Sequence, residues 1–118
     1  MSTVRIALAH LRVPATPVES VVLATDAVAE AGRPEALVIC FPECFIPGYR
    51  WPGTQPPPPD PAFLERAWAA VDDAARAARV TVVLGTERVT ERGLQLGALV
   101  IHSDDSLAGW QDKGQLDP

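Results

Sequence analysis

The sequence predicts an α/β layered fold, a mixed sheet with two helices. Three observations point to it. Two apolar runs, Ala36-Leu37-Val38-Ile39-Cys40-Phe41 and Val80-Thr81-Val82-Val83-Leu84, have the composition of strands covered on both faces, as in parallel sheets. Two stretches of helical periodicity, each opened by a cap residue and a proline, alternate with them. The last third reads as strand, turn, strand. The order β-α-β-α-β followed by a hairpin gives parallel strands extended by antiparallel ones.

Taken in order, Val4-Arg5-Ile6-Ala7-Leu8-Ala9 is a short strand with Val4, Ile6 and Leu8 on one face. Thr16-Pro17-Val18-Glu19 opens the first helix, with Thr16 as N-cap, Pro17 in the first turn and Glu19 closing a capping box. Val18, Val21, Val22, Thr25, Val28 and Ala29 recur at helical spacing until Gly32 and Pro34 end it. The strand Ala36 to Phe41 completes a β-α-β unit, which implies a parallel pair. From Pro47 to Pro61 the prolines cluster too densely for helix or sheet, and Pro56–Pro59 is polyproline-like. Tyr49 and Trp51 are poor linker residues, so this stretch is expected to cover a site within one domain. Asp60-Pro61 then opens a second helix with its apolar stripe on Phe63, Leu64, Ala67, Trp68, Val71, Ala74, Ala75 and Ala78. Trp68 is expected to pack in the core, and Asp72 with Arg76 forms an i,i+4 pair on the wet side. After the strand at Val80 to Thr86, Glu87-Arg88-Val89 extends it into a polar turn through Thr90 to Gly93. Leu94 to His102 is a strand, and Leu107 to Gln111 pairs back on it.

Composition narrows the function. At 118 residues, 47% of them hydrophobic, the chain is one domain's worth or less and not disordered by default. A net charge of −5 opposes a nucleic-acid partner and an anionic membrane surface. No apolar run is long enough to span a membrane. The amino end has no signal-peptide layout, which leaves a cytoplasmic location by exclusion. Cys40 and Cys44 are too few for a disulfide framework, and their C-x₃-C spacing lacks the second ligand pair of a zinc site. His10 and His102 lie far apart among strand residues and are expected to be structural.

The chemistry centres on Phe41-Pro42-Glu43-Cys44-Phe45-Ile46-Pro47-Gly48-Tyr49. Pro42 has no backbone N–H, so the ladder stops there and Glu43 falls at the carboxyl end of a central strand. Ligands bind at that edge in open α/β sheets. Among Phe41, Cys44, Phe45 and Ile46, the Glu43 carboxylate is expected to be partly desolvated, an environment that suits a general base. A surface glutamate at a strand end is the plainer alternative. The other carboxylates, Glu19, Glu35, Glu65 and Glu87, are expected at a cap, in turns or on wet faces.

The Glu43 segment resembles the first catalytic segment of the nitrilase, or carbon–nitrogen hydrolase, superfamily. Gly109-Trp110-Gln111-Asp112-Lys113-Gly114-Gln115-Leu116-Asp117-Pro118, one hairpin after Val-Val-Leu-Gly-Thr-Glu-Arg, resembles that family's lysine segment. The resemblance implies the amino-terminal half of a four-layer αββα sandwich and a Glu-Lys-Cys mechanism for cleaving a nitrile or amide to acid and ammonia. Glu43 is then the general base and Lys113 the donor that stabilises developing negative charge. Tyr49 and Trp51 are expected to form an aromatic wall for a small-molecule substrate. No cofactor and no metal are implied. The family's nucleophilic cysteine follows the lysine by several tens of residues, so residues 1–118 are expected to form a partial domain. Cys40 is expected to be inert core. Cys44 is expected to point away from Glu43, since extended neighbours face opposite ways. The expected partner is a complementary carboxyl-terminal half or another copy in a homo-oligomer. The alternative is a catalytically dead remnant that works as an oligomerisation or interaction module.

Overall fold

The computed structural model describes residues 6–9, 13–32, 38–48, 58, 60–102 and 107–112. Strand β1 (Ile6–Leu8), helix α1 (Pro17–Gly32), strand β2 (Val38–Cys40), helix α2 (Pro61–Ala78) and strands β3 (Thr81–Thr90), β4 (Gly93–Ile101) and β5 (Leu107–Asp112) follow in that order. They form one mixed sheet of five strands in the order β1-β2-β3-β4-β5. β1, β2 and β3 run parallel, and β4 and β5 add antiparallel to β3. This is the α/β architecture that the sequence predicts.

The helices start where their caps dictate. The Thr16 hydroxyl accepts from the Glu19 N–H at 3.1 Å. The Glu19 carboxylate reaches one residue beyond the cap, accepting from the Ala15 N–H at 2.8 Å. A capping glutamate ordinarily returns to the cap residue itself. In α2 the Asp60 carboxylate accepts from the Phe63 N–H at 3.1 Å, with Pro61 in the first turn. Arg79 ends that helix in the left-handed conformation, φ 58°. On the wet face Arg76 pairs with Asp72 at 3.3 Å and with Asp73 at 2.6 Å.

The two helices pack against each other and against one face of the sheet. At their carboxyl ends a β-carbon on Gly32 would meet Ala78 Cβ at 2.9 Å, so the residue that stops α1 also lets the helices touch. Cross-strand partners share a face of a sheet. The row Ala7, Ile39, Val82, Ile101 therefore lies under the helices, and Ile39, Val82 and Ile101 are buried. The adjacent row Leu8, Cys40, Val83, Val100 lies on the far face. There Leu8 is 65% exposed, and Ile6, one step along, is 62% exposed. The strand composition anticipates cover on both faces; among the described residues the helices cover one face, and the far face is exposed along β1 at Ile6 and Leu8. Cys40 is accordingly half-buried on the open face rather than inert core. His102 is exposed at the end of β4.

Candidate active site

The chain leaves β2 and returns to its neighbour β3 within six residues. The Phe41 N–H donates to the Val83 carbonyl at 2.9 Å, the last bond before Pro42 interrupts the ladder. Residues 43–45 turn. Ile46 then rejoins β3 by a parallel bridge opposite Thr86. Its N–H donates to the Gly85 carbonyl at 3.3 Å, and its carbonyl accepts from the Glu87 N–H at 3.1 Å. The elbow between these attachments sits on Gly85. A β-carbon there would lie 2.8 Å from Glu43 Cα and even closer to the Pro42 carbonyl oxygen. Glycine in β3 is what allows the backbone of the Glu43 segment to approach the sheet.

The turn sorts the side chains. Phe41, Phe45 and Ile46 point into the core, and the rings of Phe41 and Phe45 pack tilted with centroids 5.5 Å apart. Cys44 is buried with a left-handed backbone, φ 53°. Glu43 is exposed. This corrects the expected desolvation of Glu43. Its apolar neighbours do form a hydrophobic cluster, but the turn points them inward and the carboxylate outward. The result is a carboxylate whose backbone is held by β3 and whose side chain faces solvent beyond the carboxyl end of β2.

A second carboxylate lies beneath the elbow. Glu87 is fully buried, at 0% exposure. That overturns its expected place in a polar turn. β3 continues to Thr90, and the hairpin turns only at Glu91 and Arg92, so Glu87 remains a strand residue paired with Leu96. The Cys44 thiol lies 3.8 Å from Glu87 Oε2 and 3.4 Å from the Gly48 carbonyl oxygen, and it can donate to either. On the helix side of β3, the Trp68 indole N–H donates to the Thr86 hydroxyl at 3.1 Å, which ties α2 to the strand that carries the elbow. The sequence holds one signal for Glu87: a two-residue turn between Thr90 and Gly93 leaves position 87 inside the strand.

Lys113, Tyr49 and Trp51 lie outside the described residues. β5 ends at Asp112, the residue before Lys113, and Gly97 on β4 pairs with it. Among the described residues, no three His, Cys, Asp or Glu side chains are grouped to hold a metal ion. No helix among them is long and apolar enough to cross a membrane.

Solved structures that share this fold include hydrolase and synthetase chains. An amidase of the nitrilase superfamily from Nesterenkonia AN1 is 23% identical, with a TM-score of 0.77 over 99% of this chain and 46% of its own. A carbon-nitrogen hydrolase from Helicobacter pylori G27 is 14% identical, with a TM-score of 0.77 over 97% of this chain and 40% of its own. A glutamine-dependent NAD(+) synthetase from Cytophaga hutchinsonii is 23% identical, with a TM-score of 0.72 over 98% of this chain and 20% of its own. The chain thus spans less than half the length of each. No curated protein matches it. Residues 5–117 match the carbon-nitrogen hydrolase family model, and the chain belongs to that family.

Proposed function

We propose that this chain supplies the general base and the oxyanion donor of a hydrolase that cleaves a nitrile or amide to the acid and ammonia. The observation that carries the reading is the placement of Glu43. Its backbone is held against Gly85 at the carboxyl end of β2, in a chain that matches the carbon-nitrogen hydrolase family over residues 5–117. An exposed carboxylate on a fixed backbone can take a proton from a thiol brought over that edge, and a thiol needs such a base to attack at neutral pH. Lys113, just past the end of β5, is the proposed donor to the negative charge that forms on the attacked carbon's substituent. Tyr49 and Trp51 form the proposed aromatic wall. The nucleophilic cysteine comes from sequence outside these 118 residues, because Cys44 is buried beside Glu87 and Cys40 lies within β2. The proposed partner is a complementary carboxyl-terminal half, with homo-oligomers built from the completed domain in the cytoplasm.

The test is ammonia release from a panel of simple amides and nitriles. It is run on the chain alone and on the chain mixed with the carboxyl-terminal half of a related hydrolase. The expected result is turnover only in the mixture. Turnover by the chain alone that is lost in Cys44→Ser would reject the reading and place the nucleophile at Cys44. A mixture that folds together but stays inactive would favour the non-catalytic interaction module, for which the exposed far face of the sheet is the supporting observation.

A further inference from the structure

We propose that Glu87 is a positioning residue, whose buried carboxylate holds the Cys44 thiol and through it sets the elbow that carries Glu43. The proposal rests on the reading of Glu43 as general base. Glu87 holds the elbow at two points. Its side-chain Oε2 lies 3.8 Å from Cys44 Sγ, and its backbone N–H donates to the Ile46 carbonyl at 3.1 Å. Cys44 and Ile46 are the two residues that flank Phe45, and Glu43 is joined directly to Cys44. The residue at the centre of the latch, Cys44, has φ 53°, a conformation that a side-chain-bearing residue keeps only when its surroundings impose it. The thiol is 2% exposed and the carboxylate 0%, so water competes for neither.

Burial of a carboxylate is costly, and an apolar side chain of similar size would ordinarily serve a sheet better. The side chain sits on β3 under the turn, away from the cluster that unites helices and sheet. The contact to Cys44 is directional. A carboxylate accepts from a thiol with more angular preference than an apolar contact supplies. The Gly48 carbonyl, 3.4 Å from the same sulfur, offers the thiol proton a second acceptor on the far side of the elbow. The thiol proton thus has an acceptor on either side, Glu87 on β3 and the Gly48 carbonyl, and donates to one of them at a time. A displacement of Glu43 by about 1 Å is enough to cost about 10²-fold in rate.

Two measurements test this. The first uses the 118-residue chain with Cys40→Ser, so that the infrared S–H stretching band belongs to Cys44 alone. Glu87→Gln is expected to move that band to higher wavenumber, since the amide is the weaker acceptor. An unmoved band overturns the latch. The second uses the chain completed by its carboxyl-terminal half. Glu87→Gln is expected to lower kcat by about 10- to 100-fold while KM changes by less than about twofold. Cys44→Ala is expected to act in the same direction, and the double variant to be no worse than the poorer single one. Glu87→Leu, which removes the carboxylate without opening a cavity, is expected to lose kcat while keeping its unfolding midpoint. Full kcat in Glu87→Gln, or a kcat loss matched by unfolding in both Glu87 variants, overturns the positioning role. Glu43→Gln run alongside separates the two readings. If it keeps turnover, the general-base assignment fails. If it loses turnover while Glu87→Gln does not, only the positioning role fails.

Discussion

Gly85 on β3 and Glu43 in the turn that follows β2 are in backbone contact. The α-carbon of Glu43 lies 2.8 Å from the point that a β-carbon on Gly85 would occupy. No side chain fits between them, so the glycine on β3 determines how close the proposed base can lie to the sheet. The contact also explains why Ile46 can rejoin the same strand one residue later, opposite Thr86.

Gly85→Ala is therefore expected to push the elbow off β3. The added methyl meets backbone atoms, which cannot rotate away, so the change costs about 1–3 kcal/mol of stability. Urea unfolding of the chain and its variant measures it. In the completed enzyme the same substitution is expected to lower kcat more than Glu65→Gln, a change on the exposed face of α2. Equal stability of Gly85→Ala and the parent would show that the elbow has room to move.

Glu43→Gln is expected to leave stability within about 0.5 kcal/mol, because the side chain is exposed and its amide analogue has the same shape. Turnover of the completed enzyme is expected to fall by about 10²–10⁴-fold, the range of a lost general base. Lys113→Ala is expected to lower it by about 10²–10³-fold, the scale of one lost oxyanion donor. Rates for both variants within a factor of two of the parent would remove these residues from the mechanism.

The far face of the sheet should make the isolated chain associate. Ile6, Leu8, Val89 and Leu94 are 62%, 65%, 42% and 41% exposed. β1 and β5 are also the edges of the sheet, and open edges template pairing. Ile6→Thr with Leu8→Thr keeps strand-favouring branched side chains while removing apolar area. Sedimentation at micromolar concentration is expected to show association of the parent that weakens in the double variant. A compact monomer of the parent counts against it.

The two helix caps should behave alike. Thr16→Ala removes the acceptor for the Glu19 N–H, and Asp60→Ala removes the acceptor for the Phe63 N–H. Each is expected to cost about 1 kcal/mol, read from the shift in the thermal or denaturant midpoint. Glu19→Ala is expected to cost a further fraction of this through its bond to the Ala15 N–H. A cap variant that unfolds at the parent's midpoint would show that its helix is held by packing alone.

The sequence alone determined the elements and their order. Thr16-Pro17 and Asp60-Pro61 mark both helix starts because capping chemistry is local, completed within three residues. The apolar runs around Ile39 and Val82 identify the parallel strands because a buried row requires apolar side chains at those positions. Pro42 marks where β2 stops, since a missing N–H is a property of the residue itself. The tertiary structure decided the environments of the carboxylates. Glu43 and Glu87 are both flanked by apolar or strand-forming residues, yet one faces solvent and the other is enclosed. The difference comes from a turn that lays Cys44 over Glu87, through hydrogen bonds between residues about forty positions apart. Which strand a turn returns to, and which side chain it covers, depends on the register of β2 against β3. That register is fixed by non-local pairing and by the room that Gly85 leaves, which no window of local sequence contains.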